Sequence, residues 1–181
     1  MLSLSGCRIV AAPPRVRRES AGIQVHTHMS SIAVPASSPL HFSPEKNGTY
    51  KIMQVSDLHF STGRGMCHDA TFAPCADADS LSAALLAKAL DAETPDLVVF
   101  TGDQLNGKET SWDSKSVLTK FAKEVIKRKI PWATVLGNHD DEDDFDRKKL
   151  MEYISQMPFS VSSPGPEDVD GAGNYVCHVQ L

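Results

Sequence analysis

No apolar run in this 181-residue chain reaches the ~18–20 residues that cross a bilayer, and no secretory hydrophobic core is visible. The sequence therefore supports no membrane segment. Cysteine is scarce: Cys7, Cys67, Cys75 and Cys177 are too few for a disulfide framework. Cys67 and Cys75 lie in one loop and suit either a bridge or two free thiols. With His68 they match no paired zinc spacing, so the loop reads as structural. Basic charge is also short, with 18 Lys and Arg against 23 Asp and Glu. Residues 1–40 carry Arg8, Arg15, Arg17 and Arg18 against Glu19, a local balance of +3 that leaves −8 on the rest of a chain of net charge −5. An acidic body lacks the basic face of a nucleic-acid footprint, and no nucleic-acid partner is expected.

What is present is ordinary for a globular domain: 41% apolar and 23% charged residues, enough for one core. Residues 1–39 are rich in Ser, Pro, Ala and Arg and show no periodicity. They read as a disordered or leader segment with some transit-peptide character. Asn47-Gly48-Thr49 fits the glycosylation acceptor pattern, which carries meaning only in a secreted chain.

From about residue 40 the pattern changes. A turn cluster, Ser43 to Gly48, leads into a first strand near Tyr50–Ser56. A long Gly, Cys and Pro-containing loop follows over 61–79, of a length usual for lids or specificity insertions. Ser80 is placed to cap a helix over Leu81–Glu93, with Leu81, Leu85, Leu86 and Leu90 on one face. Pro95 ends it, and Leu97–Thr101 forms the second strand. The polar loop Gly102–Ser111 precedes a helix over Asp113–Lys129 that turns Val117, Leu118, Phe121, Val125 and Ile126 inward. Trp132–Leu136 is the third strand, Asp143–Gln156 a third helix, and Gly173–Gln180 alternates like a strand of a further sheet. The order β-α-β-α-β-α-β with short connections predicts an α/β fold with a parallel sheet.

Polar groups gather where these strands end. The first runs into Asp57-Leu58-His59, the second into Gly102-Asp103, and the third into Gly137-Asn138-His139-Asp140. In open α/β sheets that edge is where ligands bind. Each motif alone is an ordinary polar turn; three in order, each after a buried strand, make a site. Two cations ~3.5–4 Å apart repel, so a dinuclear centre needs a shared anionic oxygen. Asp103, from the central motif, suits that bridge, with Asp57 and His59 on one metal and the Asn138 amide oxygen on the other. Oxygen and imidazole donors suit Mn, Fe or Zn. A water shared between such ions loses its proton near neutral pH and becomes the nucleophile. His139 is then free to serve phosphoryl or leaving-group oxygen as a hydrogen-bond or proton donor, with Asp140 orienting its ring. The acidic run Asp140–Asp146 reads as the start of the third helix, balanced by Arg147-Lys148-Lys149.

The three motifs and their flanking strands, Lys51–Gly63 and Asp96–Gln104, resemble the calcineurin-like metallophosphoesterase superfamily, in particular a fungal phosphatase subfamily distantly related to purple acid phosphatases. The loop Cys67–Asp79 and the segment Gly171–Val176 resemble that subfamily too. The resemblance covers roughly residues 40–181 and implies the N-terminal half of a layered α/β sandwich. It implies two divalent or trivalent metal ions and a phosphorylated substrate, a small molecule or a phosphoprotein. The family's downstream histidines, including a Gly-His-x-His pair, have no counterpart: the only histidine after His139 is His178, read as structural. The expectation is a metal-dependent phosphatase with an incomplete ligand set and impaired turnover. The rivals are a non-catalytic metal-binding or regulatory fragment and a nuclease.

Overall fold

Leu97-Val98-Val99-Phe100 is apolar at every position, and a strand without a polar face must be covered on both sides. The computed structural model, which describes residues 8–11, 40–41, 49–62, 75–107, 113–142 and 145–180, covers it in that way. Among the described residues the strands are β1 (Arg8–Ala11), β2 (Leu40–His41), β3 (Ile52–Val55), β4 (Leu97–Phe100), β5 (Trp132–Thr134) and β6 (Val176–Gln180). The helices are α1 (Ala78–Glu93), α2 (Ser114–Lys127) and α3 (Arg147–Ser155). β3, β4 and β5 form one parallel sheet in that order; β1, β6 and β2 form a second, also parallel, with β6 central.

Alternation along β4 divides its side chains between two cores. Val98 and Phe100 join Leu86, Leu90, Val117, Leu118, Phe121, Val125, Trp132, Leu150, Met151 and Ile154 beneath the helices. Leu97 and Val99 join Leu40, Ala133, Cys177 and Val179 between the two sheets. The layers are thus helices, first sheet, second sheet. Phe100, Phe121 and Trp132 meet edge to face, with centroids 4.9–5.9 Å apart. The Trp132 indole N–H donates to the Pro158 carbonyl at 2.9 Å, so burial leaves its one polar atom satisfied. Beyond β5, the Tyr175 hydroxyl donates to the Thr134 carbonyl at 2.6 Å and accepts from the Thr134 N–H at 3.0 Å.

The expected β-α-β-α-β-α-β order is present from β3 onward, and the strand Gly173–Gln180 does lie in a further sheet, with Cys177 and Val179 buried and Val176 and His178 exposed. Several boundaries differ. α1 begins at Ala78 after a 3-10 turn, Cys75–Asp77. Its N-cap is Asp77, with no side-chain cap, so Ser80 does not cap it; the Ser80 hydroxyl instead donates back to the Asp77 carbonyl. Leu86 and Leu90 face the core, but Leu81 and Leu85 are 51% and 69% exposed, because the buried stripe of α1 is narrower than the leucine spacing suggests. α3 begins at Arg147 rather than Asp143, with the Asp146 carboxylate accepting from the Lys149 N–H at 2.9 Å. β1 arises in the opening segment, where no element was expected, by pairing with β6. Cys7, Cys67, Asn47 and most of the loop before α1 fall outside the described residues. No helix among the described residues is long and apolar enough to cross a membrane.

Candidate metal centre

β3, β4 and β5 run parallel, so their C-terminal ends deliver the three polar turns to one edge. The first two turns are zipped together by backbone bonds: Asp57 N–H to Gly102 O at 3.0 Å, His59 N–H to Asp103 O at 3.1 Å, and Phe60 N–H to Gln104 O at 2.8 Å. Asp57, His59 and Asp103 all take left-handed backbone angles, with φ of 55°, 46° and 53°. Side-chain-bearing residues rarely adopt that conformation, and such strain gathers at functional sites. Here it aims three side chains at one point. Each offers a ligand atom, and these atoms lie within 4.8 Å of one another. Two carboxylates and an imidazole this close carry the hard-oxygen and nitrogen donors that Mn, Fe or Zn take. The residues fit a divalent ion.

The third turn sits against the second. The Asp103 carboxylate accepts the His139 backbone N–H at 2.9 Å, so the proposed bridging group is also what fixes the neighbouring turn. Gly137 is needed there: a Cβ would lie 2.5 Å from the Asp103 nitrogen and collide with its carboxylate. Asn138 stands exposed on the same turn. The His139 ring lies edge to face with that of His59, centroids 5.3 Å apart. Arg147, from the first turn of α3, donates to the carbonyls of Leu136 at 2.7 Å and Gly137 at 2.8 Å while pairing with Asp141.

Asp140 does not orient the His139 ring. Its side chain is buried and accepts four backbone N–H groups: Asp103 and Gly137 on one oxygen, at 2.9 and 2.6 Å, Gln104 and Leu105 on the other, both at 2.9 Å. Burial pushes its carboxyl above the usual carboxylate range, and the N–H groups of Leu105, Gly137 and Asp103 oppose that rise. A carboxylate that does meet the ring is that of Glu142, 3.1 Å from His139 Nδ1. Among the described residues the acids take separate roles: Asp140 staples two turns, Asp141 meets Arg147, Glu142 meets His139, and Asp146 caps α3.

Three residues near the cluster were not read as part of the site in the sequence. Glu142 lay hidden in the acidic run, although its i+3 spacing from His139 is compatible with contact in a turn. Asn106, three residues past Asp103, places Oδ1 3.2 Å from His59 Nδ1. Arg147 was read only as helix charge balance.

A parallel sheet here gathers two aspartates and a histidine at its carboxyl edge, with a second histidine beside them, the kind of donor set a metal-binding site needs. The chain belongs to the calcineurin-like phosphoesterase family, whose model matches residues 50–177. Among its relatives, Phosphatase DCR2 of Saccharomyces cerevisiae is 42% identical over 138 residues, 73% of this chain and 24% of that protein. Two Arabidopsis thaliana proteins follow. Probable inactive purple acid phosphatase 14 is 40% identical over 144 residues, 74% of this chain and 35% of that protein. Probable inactive purple acid phosphatase 28 is 37% identical over 169 residues, 84% and 41% respectively. The chain thus spans between about a quarter and two fifths of the length of these curated relatives.

Proposed function

We propose that this chain carries part of a dinuclear metal centre for phosphomonoester hydrolysis, and that its own turnover is low. The convergence of Asp57, His59 and Asp103 within 4.8 Å carries this reading. Asp57 and His59 would hold one ion, Asp103 would bridge, and the Asn138 amide oxygen would serve the second. When bound, such ions supply Lewis acidity and lower the pKa of an attacking water. The residues of the chain do the rest. Asp103 fixes the turn that carries His139, and Glu142 meets the His139 ring at Nδ1. His139 would then donate a proton or hydrogen bond to the phosphoryl or leaving-group oxygen. Asp140 serves the site indirectly, by joining the loops that carry Asp103 and Asn138. Among the described residues these four side-chain donors are few for two ions, and His178 lies exposed on β6 in the other sheet.

A second reading, a metal-binding protein without catalysis, draws support from that short ligand set and from two relatives whose names call them probably inactive. The test is Mn²⁺ titration by calorimetry together with aryl phosphate hydrolysis, on the full chain and its Asp103→Asn variant. Weak binding with slow turnover, both lost in the variant, is the expected result. Binding without turnover selects the second reading. Rapid turnover lost in Asp103→Asn would show the four donors to be sufficient, and no binding at all sinks both readings.

A further inference from the structure

A histidine that binds metal through one nitrogen must carry its proton on the other, and something has to choose between the two. In His59 the two nitrogens face different groups. Nε2 is 3.7 Å from the Asp57 carboxylate, on the side of the donor cluster, and Nδ1 is 3.2 Å from the Asn106 amide oxygen. An Nδ1–H bonded to Asn106 leaves the lone pair of Nε2 directed toward Asp57, where a cation would sit. The opposite tautomer would turn Nε2–H toward the Asp57 carboxylate, an electrostatic contact longer than a hydrogen bond, and close that nitrogen to metal. Asp57 and Asn106 therefore pull the ring in opposite directions.

We infer that Asn106 is a positioning residue: it holds His59 as the Nδ1–H tautomer, so that Nε2 is ready to ligate. This rests on the proposed metal reading of His59 and extends it to a residue that the three strand-end motifs do not include. The placement of Asn106 is built into the chain. Its backbone N–H donates to the Phe60 carbonyl at 2.9 Å, alongside a parallel bridge between Phe60 and Leu105, so it is tied to the segment that carries His59. Gly107, directly after it, turns with φ of 74°, and a Cβ there would lie 2.9 Å from the His139 carbonyl and collide with the Glu142 carboxylate. Asn106 is thus held beside the first turn, with Gly107 set against the third. Asparagine suits the task because its amide oxygen accepts without adding a further negative charge beside Asp57 and Asp103.

The test uses the full chain and three variants: Asn106→Leu, similar in size without an acceptor, Asn106→Asp, which keeps one, and His59→Ala. Long-range ¹H–¹⁵N spectra of the metal-free protein, in buffer alkaline enough to keep the ring neutral, read the His59 tautomer directly. Wild type and Asn106→Asp are expected to show Nδ1–H, and Asn106→Leu to shift toward Nε2–H. Mn²⁺ titration should then show Asn106→Leu weaker by about 10–100-fold, as the loss of such an outer partner does, with Asn106→Asp, which keeps the acceptor and adds a charge, no weaker than wild type. An Nε2–H tautomer in the wild-type protein overturns the inference, as does an Asn106→Leu protein that binds Mn²⁺ like wild type. Should Asn106→Leu fail to fold, the wild-type spectrum decides alone. If wild type and His59→Ala both ignore Mn²⁺, the metal reading fails, while the tautomer spectra still judge Asn106.

Discussion

Asp140 shows how much one side chain does behind a site. Its two oxygens each accept two backbone N–H groups, three from the loop after β4 and one from the turn after β5. In an Asp140→Asn variant one oxygen becomes an N–H₂ donor, and either amide orientation leaves two buried N–H groups facing it. At about 1–3 kcal/mol for each unsatisfied donor, the variant should lose about 2–6 kcal/mol of stability, less if the part-buried pair is the one left facing it, measured from the midpoint of urea unfolding. An Asp140→Asn protein as stable as wild type would show that this staple is not needed. Glu142→Gln, which removes a charge at the His139 ring and buries nothing new, is expected to leave that midpoint nearly unchanged.

The elements are joined by a few polar ties as well as by apolar packing. Asp79, in the first turn of α1, accepts the Ser61 backbone N–H at 3.1 Å and pairs with Lys120 of α2 at 2.8 Å. Lys120 also donates to the Ser61 carbonyl at 2.5 Å, so one pair joins α1, α2 and the segment after β3. Asp79→Ala takes the shared carboxylate away from the half-buried Lys120 ammonium, which keeps the Ser61 carbonyl, and from the buried Ser61 amide. The expected loss is about 2–4 kcal/mol, read by chemical denaturation, with Lys120→Met in the same background recovering part of it. A loss below about 0.5 kcal/mol would mark the pair as no better than a surface one.

At this scale the sequence was most legible. β4 and α2 were found within a residue or two because an unbroken apolar run and a clean helical period each leave a single interpretation. The site motifs were legible for the same reason: a buried strand has to end in water, and its first polar residues stand out. What was missed depends on contacts between distant segments. Leu81 and Leu85 share a helical face with Leu86 and Leu90, yet nothing packs on them enough to bury them, and spacing cannot show that. β1 exists by pairing with β6, some 168 residues later in the chain. Asp140 and Glu142 sit two residues apart in one run of acids, and only the fold assigns one to the backbone and the other to an imidazole.

For the whole molecule, the join between the two sheets offers a titratable reporter. Tyr50 packs with the cluster of Leu97, Val99, Cys177 and Val179, and its phenol is pushed up to about 12 by burial first, then by the charges of Asp96 and Cys177. The unfolded chain releases that proton near the ordinary value of 10. Between those values the folded state binds more protons than the unfolded one, so stability is complete below about pH 10 and declines as pH rises toward about 12. Tyr50→Phe should flatten that alkaline limb relative to wild type in melts across the range. An identical slope in both proteins would place the titrating group elsewhere.

The left-handed turns at Asp57, His59 and Asp103 set a last consequence. Glycine would occupy each of these positions at less backbone cost, by about 1–2 kcal/mol per residue, and two of the three side chains add mutual carboxylate repulsion. Backbone conformation by itself therefore favours none of these three residues, although the Asp103 carboxylate also accepts the His139 N–H. The backbone cost at these positions is one that a bound cation would offset, so under the proposed metal reading an apo chain should be measurably less stable than one titrated with Mn²⁺.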